Sequence, residues 1–418
     1  MMLPNGWKRV KLGDVVKMSS GGTPSKDNAS FWNGDIPWIS ALEMHKNFVE
    51  EAKLNITEDA LKKGSSLAKK NDLLLLTRGS MLWKRIPVCL CLRDVAFNQD
   101  VKCLHANEKL NSTFLLYWFG CMEPKIMHMV VGTGIGAGKL ESSGILDLDV
   151  NLPPLEEQKK IAATLSVWDS VIEKMEKLIE AKIVQKKSLT CKLIENHNDV
   201  KFKLGNVTID KSKWEKKKFK DVFEFLSTNT CSRELMSTDE GSIKNIHYGD
   251  VLVKYAELLD VNSARIPCLK SSVDSSKMTF LQSGDIVIAD TAEDETVGKA
   301  VEILNIEDHL VVSGLHTMLC RPQKEMFYHG WLGYYINSKE FHRQLIPLIT
   351  GIKVSSIAKK DIVDTIILIP SLQEQKIIVE TLSETNKELS LLRLQLENYK
   401  KQKQGLMQKL LTGQWRVK

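Results

Sequence analysis

Residues 151–166 read NLPPLEEQKKIAATLS, and residues 368–383 read LIPSLQEQKIIVETLS. At an offset of 217, Pro153 matches Pro370, Leu155 matches Leu372, and Glu157-Gln158-Lys159 matches Glu374-Gln375-Lys376. Ile161 matches Ile378, and Thr164-Leu165-Ser166 matches Thr381-Leu382-Ser383. The same offset pairs Tyr117 with Tyr334 upstream, and Lys186, Leu189 and Lys192-Leu193 with Lys403, Leu406 and Lys409-Leu410 downstream. At an offset of 207, Trp7, Leu12, Asp14 and Val15 match Trp214, Phe219, Asp221 and Val222. The chain is therefore a tandem duplication, alike at the ends of each copy and diverged in the middles.

Each copy ends in a long helix. Ile161, Leu165, Trp168, Ile172, Met175 and Ile179 step alternately by four and three, which is a heptad seam. In the second copy Ile378, Leu382, Thr385, Leu389, Leu392 and Leu396 keep that register, with Tyr399 and Leu406 beyond. Pro154 followed by Glu156 and Glu157 marks a helix start, and Gly413 a stop. About 33 helical residues span roughly 50 Å, so two such stripes most simply pack on each other.

The middles read as mixed α/β. Strands are expected at Leu73–Thr77, Val95–Leu104, Ile286–Ala289 and Ile366–Ile369, with short helices over Ser112–Met122 and Tyr328–Ser338. The fold class is thus α+β: two duplicated mixed domains separated by two long helices that form an antiparallel coiled coil with pseudo-two-fold character. The expected segments are residues 1–152, 153–200, 201–369 and 370–418.

Composition limits the function. With 418 residues, 43% hydrophobic and 26% charged, the chain is an ordinary globular protein. No apolar run is long enough to span a membrane, and the opening MMLPNGWKRVK lacks a signal-peptide core. Eight scattered cysteines without a CxxC pair, and nine histidines without HExxH, point to a cytoplasmic protein with reduced thiols and no metal. The net charge of +6 is uneven: residues 171–220 hold 14 Lys against 7 acids, whereas residues 285–308 hold 8 acids and only Lys299. With residues 386–418, which hold 8 basic against 2 acidic groups, this makes two basic segments offsetting a more acidic remainder, which suit a polyanion, though a solvated lysine-rich helix face reads equally well.

A duplicated chain with paired helices presents two globular units at a fixed separation. DNA-reading dimers work this way, with half-sites about 34–36 Å apart. Diverged middles would then read two different half-sites. At this point the chain resembles the specificity subunit of type I restriction-modification enzymes, over essentially its whole length. The duplicated P-x-L-x-E-Q-K-x-I at 153–161 and 370–378 carries the resemblance, with GLMQKLLTG at 405–413. Ser20-Gly21-Gly22-Thr23-Pro24, Gly34-Asp35-Ile36-Pro37-Trp38-Ile39, Asn245-Ile246-His247-Tyr248-Gly249-Asp250 and Gly314-Leu315-His316-Thr317 add to it. The central copy departs from the pattern, because Leu193-Ile194-Glu195-Asn196 lacks the LLTG ending.

The resemblance implies two target-recognition domains and two conserved helical regions, central and distal. It implies double-stranded DNA as one partner, two modification subunits, and restriction subunits in the full complex. Those partners would carry S-adenosylmethionine, ATP and magnesium, and this chain would bind no cofactor of its own. The target would be bipartite and asymmetric, with an unread gap of about 5 to 8 base pairs.

Fragments that mimic catalytic motifs do not hold up. Asn151-Leu152-Pro153-Pro154 is interrupted by Leu and lacks the aromatic of an amino-methyltransferase motif. Gly132-Thr133-Gly134-Ile135-Gly136-Ala137-Gly138-Lys139 fails the phosphate-loop pattern at Thr133 and Leu140. Glu157-x-Lys159 and Glu374-x-Lys376 sit in a first helical turn without an acidic partner. The expectation is a chain without a catalytic site. The alternative from another class is a two-headed coiled-coil adaptor, or an orphan paralogue that binds proteins.

Base and phosphate contacts need Arg, Lys, Asn, Gln, Ser or Thr on loops. In the first copy the candidates are Ser19, Ser20, Thr23, Arg78, Lys84, Arg85, Gln99 and Lys139. In the second they are Ser227, Thr228, Asn229, Ser232, Arg233, His316 and Lys353. Asn98-Gln99 is expected to occupy the place of Leu315-His316, and Trp38, Trp83 and Trp118 are expected to be packing residues.

Overall fold

The structure is a computed structural model and describes residues 3–134, 136–195, 200–351 and 354–417. The chain forms two compact units: Met1–Lys177 with Arg393–Lys418, and Leu178–Leu392. The division runs through both long helices, so each unit owns the first half of one and the second half of the other.

The two units repeat one sheet plan. In the first, a five-stranded sheet has the order Val16–Ser20, Val101–Ala106, Leu73–Leu76, Val88–Cys91, Phe48–Val49. In the second, Phe223–Leu226, Thr317–Pro322, Ile286–Ala289, Ala300–Leu304 and Leu258–Asp260 follow the same order. The central strands Leu73–Leu76 and Ile286–Ala289 are buried at every residue, as continuous apolar runs require. Each unit adds a four-stranded sheet containing one parallel pair: Trp32–Ile39 with Val95–Phe97, and Ile243–Ile246 with Leu310–Ser313. Each also has an antiparallel pair that ties its entry strand to the strand before its helix: Lys8–Lys11 with Asp149–Leu152, and Glu215–Lys218 with Ile366–Ile369.

Several expected elements change their limits. Val95–Leu104 is two strands in different sheets, because Asn98 folds back and accepts a hydrogen bond from Asp100 N at 3.2 Å. The helix expected to end at Met122 runs Ser112–Met127, through Pro124. The helix expected over Tyr328–Ser338 is only Trp331–Ile336, bounded by left-handed Gly330 (φ 101°) and by Ser338, which caps the next helix. Gly21 allows a close approach: a Cβ there would lie 2.3 Å from the Phe97 and Asn98 carbonyl oxygens.

The long helices are Leu155–Thr190, followed by a π turn Cys191–Glu195, and Leu372–Leu411. All the predicted seam positions are buried or half-buried, from Ile161 and Leu165 to Leu396 and Leu406. In the first unit Trp168 meets Tyr399 edge-on at 6.0 Å, Asp169 pairs with Lys403, and Glu176 pairs with Lys400. In the second, Lys182 pairs with Glu388. Asp169 pairs with Lys403 and the later Glu176 with the earlier Lys400, the order of an antiparallel coiled coil.

The duplicated motif explains itself here. Gln158 is fully buried; its Oε1 accepts from Asn111 N, and its Nε2 donates to Lys109 O and Pro153 O, all at 2.8–2.9 Å. Gln375 repeats this with Tyr328 N, Met326 O and Pro370 O. Tyr117 and Tyr334 each meet the serine of the helix, Ser166 and Ser383, at 3.1 Å. Trp7 and Trp214 donate their indole N–H to Glu157 and Glu374. Side-chain amides thus lock each mixed domain to its own helix start, satisfying backbone groups that would otherwise be buried unpaired.

The anchors differ in one respect. Arg416 binds Glu157 at 2.7 and 3.0 Å, and with the Trp7 N–H it outweighs burial and holds that carboxyl below its ordinary range. Glu374 instead closes a capping box with Ser371 and accepts from Asp210 N.

Candidate nucleic-acid interface

Several of the expected contact residues gather at one end of each five-stranded sheet. Val16–Ser20 ends where Val101–Ala106 begins and Leu73–Leu76 ends, so Ser19, Ser20, Gln99 and Arg78 come together from three strands. Lys102 Nζ donates to Ser20 Oγ at 2.7 Å, and Thr23 Oγ1 donates to Gln99 Oε1 at 2.5 Å. Arg78 lies directly opposite Lys139 on adjacent strands of a small three-stranded sheet. Like charges facing each other on neighbouring strands repel, so this pair is best satisfied by an anion lying across it. Lys139 has one acidic neighbour, Glu141, at 2.6 Å.

The glycine-rich stretch is a hairpin, not a helix entrance. Val131–Gly132 pairs with Gly138–Lys139, and Thr133 closes the turn onto Ala137 O. Lys84, next after Trp83 in the sequence, is exposed. Arg85 is directed elsewhere: its guanidinium binds the carbonyls of Met44 and His45, and it lines a cavity of about 340 Å³ with Lys46, Glu123 and Lys403.

In the second unit the same sheet end carries different residues. Ser227 Oγ lies 2.6 Å from Thr279 Oγ1. Thr228 and Ser232 are half-buried. Asn229 is a structural residue, bonded to Asn245, Ser313 O and Cys231 N. Arg233 pairs at 2.6 Å with the buried carboxylate of Asp250, which Lys254 also contacts, and the two cations overcome burial to keep that carboxyl below its usual range. His316 is about half exposed, in the left-handed region (φ 54°), edge-on to Tyr248 and 3.7 Å from Asp290. Lys353 lies outside the described residues.

The register corrects one expected correspondence. Thr77 N bonds Asp100 O and Asp290 N bonds His316 O, while Asn98 N and Gly314 N bond Ile39 O and Ile246 O. His316 therefore stands in the place of Asp100, and Leu315 in that of Gln99; a single-residue shift before the next helix hid this in the sequence. Likewise Thr291 and Ser356 pair as Arg78 and Lys139 do. The first reader presents paired cations where the second presents paired hydroxyls.

Lys102 joins the first unit's sheet end beside Ser20, as the alternation in VKCLHA allows, and Trp83 departs from the packing role expected of it. Trp38 and Trp118 are packing residues at 8% and 3% exposure, but Trp83 is 49% exposed.

One buried carboxylate also separates the units. Strand register puts Glu302 where the first unit has Leu90. Burial pushes its carboxyl up to about 7, against hydrogen bonds from Gly330, Gly333 and Leu332 N–H groups. A carboxyl raised above its ordinary range near 4.3 stabilises the fold below that range, and the contribution is lost as pH rises toward 7. Denaturation of Glu302→Gln against the parent should show that the second unit loses on the order of 3 kcal/mol across this window in the parent only. Equal pH profiles would refute it.

Comparison with known proteins agrees with this architecture. The family model for the type I restriction modification DNA specificity domain matches twice, over residues 4–183 and 211–399. The chain is similar to the type I restriction enzyme MjaVIII specificity subunit of Methanocaldococcus jannaschii, 25% identical over 100% of this chain and 95% of that one. It is 30% identical over 167 residues (40% of this chain, 41% of that one) to the EcoR124I/EcoR124II specificity subunit of Escherichia coli. Among solved structures, one described under complex assembly and conformational transition of the type I R-M system gives a TM-score of 0.60 at 18% identity, covering 99% of this chain and 100% of that one. The S subunit from M. genitalium gives 0.55 at 15% identity, covering 98% of each chain.

The repeated fold and the two matches thus define a chain built from two type I restriction modification DNA specificity domains. The chain belongs to the type I restriction-modification specificity-subunit family. Among the described residues no helix is long and apolar enough to cross a membrane, and no group of three or more His, Cys, Asp or Glu side chains is placed to hold a metal.

Proposed function

We propose that this chain reads a bipartite, asymmetric DNA sequence and directs adenine methylation or restriction by partner subunits. The observation that carries the reading is the duplicated sheet end: the same framework presents Arg78, Lys139, Ser20, Thr23 and Gln99 in one unit and Thr291, Ser356, Ser227 and His316 in the other. One framework with two contents gives two different half-sites. Cations position the duplex through phosphate, and the neighbouring amide and hydroxyl groups read base edges. The gap is proposed to be about 5 to 8 base pairs, set by the helix pair, whose members have 36 and 40 residues.

Two modification subunits, holding S-adenosylmethionine, and restriction subunits, using ATP and magnesium, are proposed to assemble on this chain. Nothing in the reading requires a cofactor on the chain itself.

Salt dependence of duplex binding tests the phosphate assignment. Binding should weaken steeply with salt, and Arg78→Ala should reduce the logarithmic slope by about one. Affinity independent of salt would point away from DNA and toward a protein-binding adaptor.

A further inference from the structure

Trp83 closes the short 3-10 turn Ser80–Trp83 that follows Arg78–Gly79. Its indole N–H donates to Gly136 O at 3.0 Å, and its six-membered ring lies against Gly132. Both contacts are with the hairpin that carries Lys139. One side of the ring is therefore held by the hairpin, while half of the residue's surface is open. Val131, also half exposed, begins the same hairpin. A large apolar ring fixed on backbone and half open to solvent thus lies on the hairpin that pairs Lys139 with Arg78, with exposed Lys84 next to it in the sequence.

Its surroundings match the two parts that sequence-tolerant nucleic-acid contacts combine, cations for the phosphates and an aromatic face for a base. Among its described residues the second unit shows no matching ring. The turn after Thr291–Ala292 reads Glu293-Asp294-Glu295-Thr296, with Asp294 closing onto Thr296, and it offers acids in place of a ring.

We propose that Trp83 is a DNA-contact residue of the first reader only, its exposed ring stacking on a base at a partly unstacked step of the duplex. The proposal rests on the DNA-reading function above. Because the ring is pre-fixed by the hairpin, little side-chain freedom is lost on contact, and the glycines let backbone approach the duplex closely.

The test uses the full chain with its modification subunit, a duplex carrying the methylated motif, and a scrambled duplex of equal length. Trp83→Ala should weaken binding to the motif duplex about ten-fold, with the salt slope unchanged because no phosphate contact is lost. Trp83→Phe should recover most of the affinity. In a Trp415→Phe background, which removes the exposed indole near the C-terminus, the motif duplex should quench emission, and Trp83→Phe should abolish the quench. Binding of Trp83→Ala within two-fold of the parent would overturn the proposal. So would an equal loss on both duplexes accompanied by a smaller slope, which would make Trp83 only a prop for Arg78 and Lys139. If the parent itself binds neither duplex, the DNA-reading function fails first, and the proposal with it.

Discussion

Gln158→Ala should destabilise the first unit by about 3 kcal/mol, the largest effect expected of any single substitution away from the apolar core. The amide has no exposed surface and makes three hydrogen bonds to backbone: one accepted from Asn111 N and two donated to Lys109 O and Pro153 O. Alanine leaves these groups, one buried and two part-buried, without their partners, at about 1–3 kcal/mol each where water cannot reach them, and adds a small cavity. Water entering the cavity offsets part of that sum, hence the lower total. Gln158→Glu should cost nearly as much, because a carboxylate cannot donate to the two carbonyls. Gln375→Ala should behave alike in the second unit, where the three bonds recur. Denaturant titration of each variant measures this; a loss under about 1 kcal/mol would mean the amide does not lock helix to domain.

The second large effect is on sequence preference. Replacing Ser20, Thr23 and Gln99 together with alanine should alter one half of the recognised motif and leave the other intact. These side chains sit at one sheet end, and the second reader has its own set. Contacts of this kind are worth about 1–3 kcal/mol per base, so discrimination at one to three positions should fall about five-fold or more. Lys102 would lose little, since its bond to Ser20 Oγ is solvent-exposed. His316→Ala should change only the opposite half. Motif mapping of the modified DNA reads both outcomes. Simultaneous decay of both halves would show that the residues support overall binding rather than reading.

Much of the fold was legible because duplication supplies an internal comparison. The heptad seam from Ile161 to Ile179 and from Ile378 to Leu406 follows from periodicity alone, and the strands Ile286–Ala289 and Ile366–Ile369 from short apolar runs. What the sequence hid was local geometry. The Asn98 turn splits an apolar run between two sheets, and nothing in the run's hydrophobicity marks that break. Arg85 and Arg233 look like free cations in the sequence; folding turns one onto backbone carbonyls and the other onto buried Asp250. Trp83 reads as core by residue type, and only the placement of the glycine hairpin leaves it open. Site residues were thus readable as a set of loops, not as individual contacts, because side-chain partners come from strands far apart in sequence.

The central claim is that two unlike readers on one helix pair specify one two-part sequence. Its most direct test is the methylome of a methylation-free host expressing this chain with its modification subunit. The expected result is one asymmetric motif, with two different specified halves and a constant gap of about 5 to 8 base pairs. A palindromic or continuous motif, or a stable complex that leaves the genome unmethylated, would contradict it.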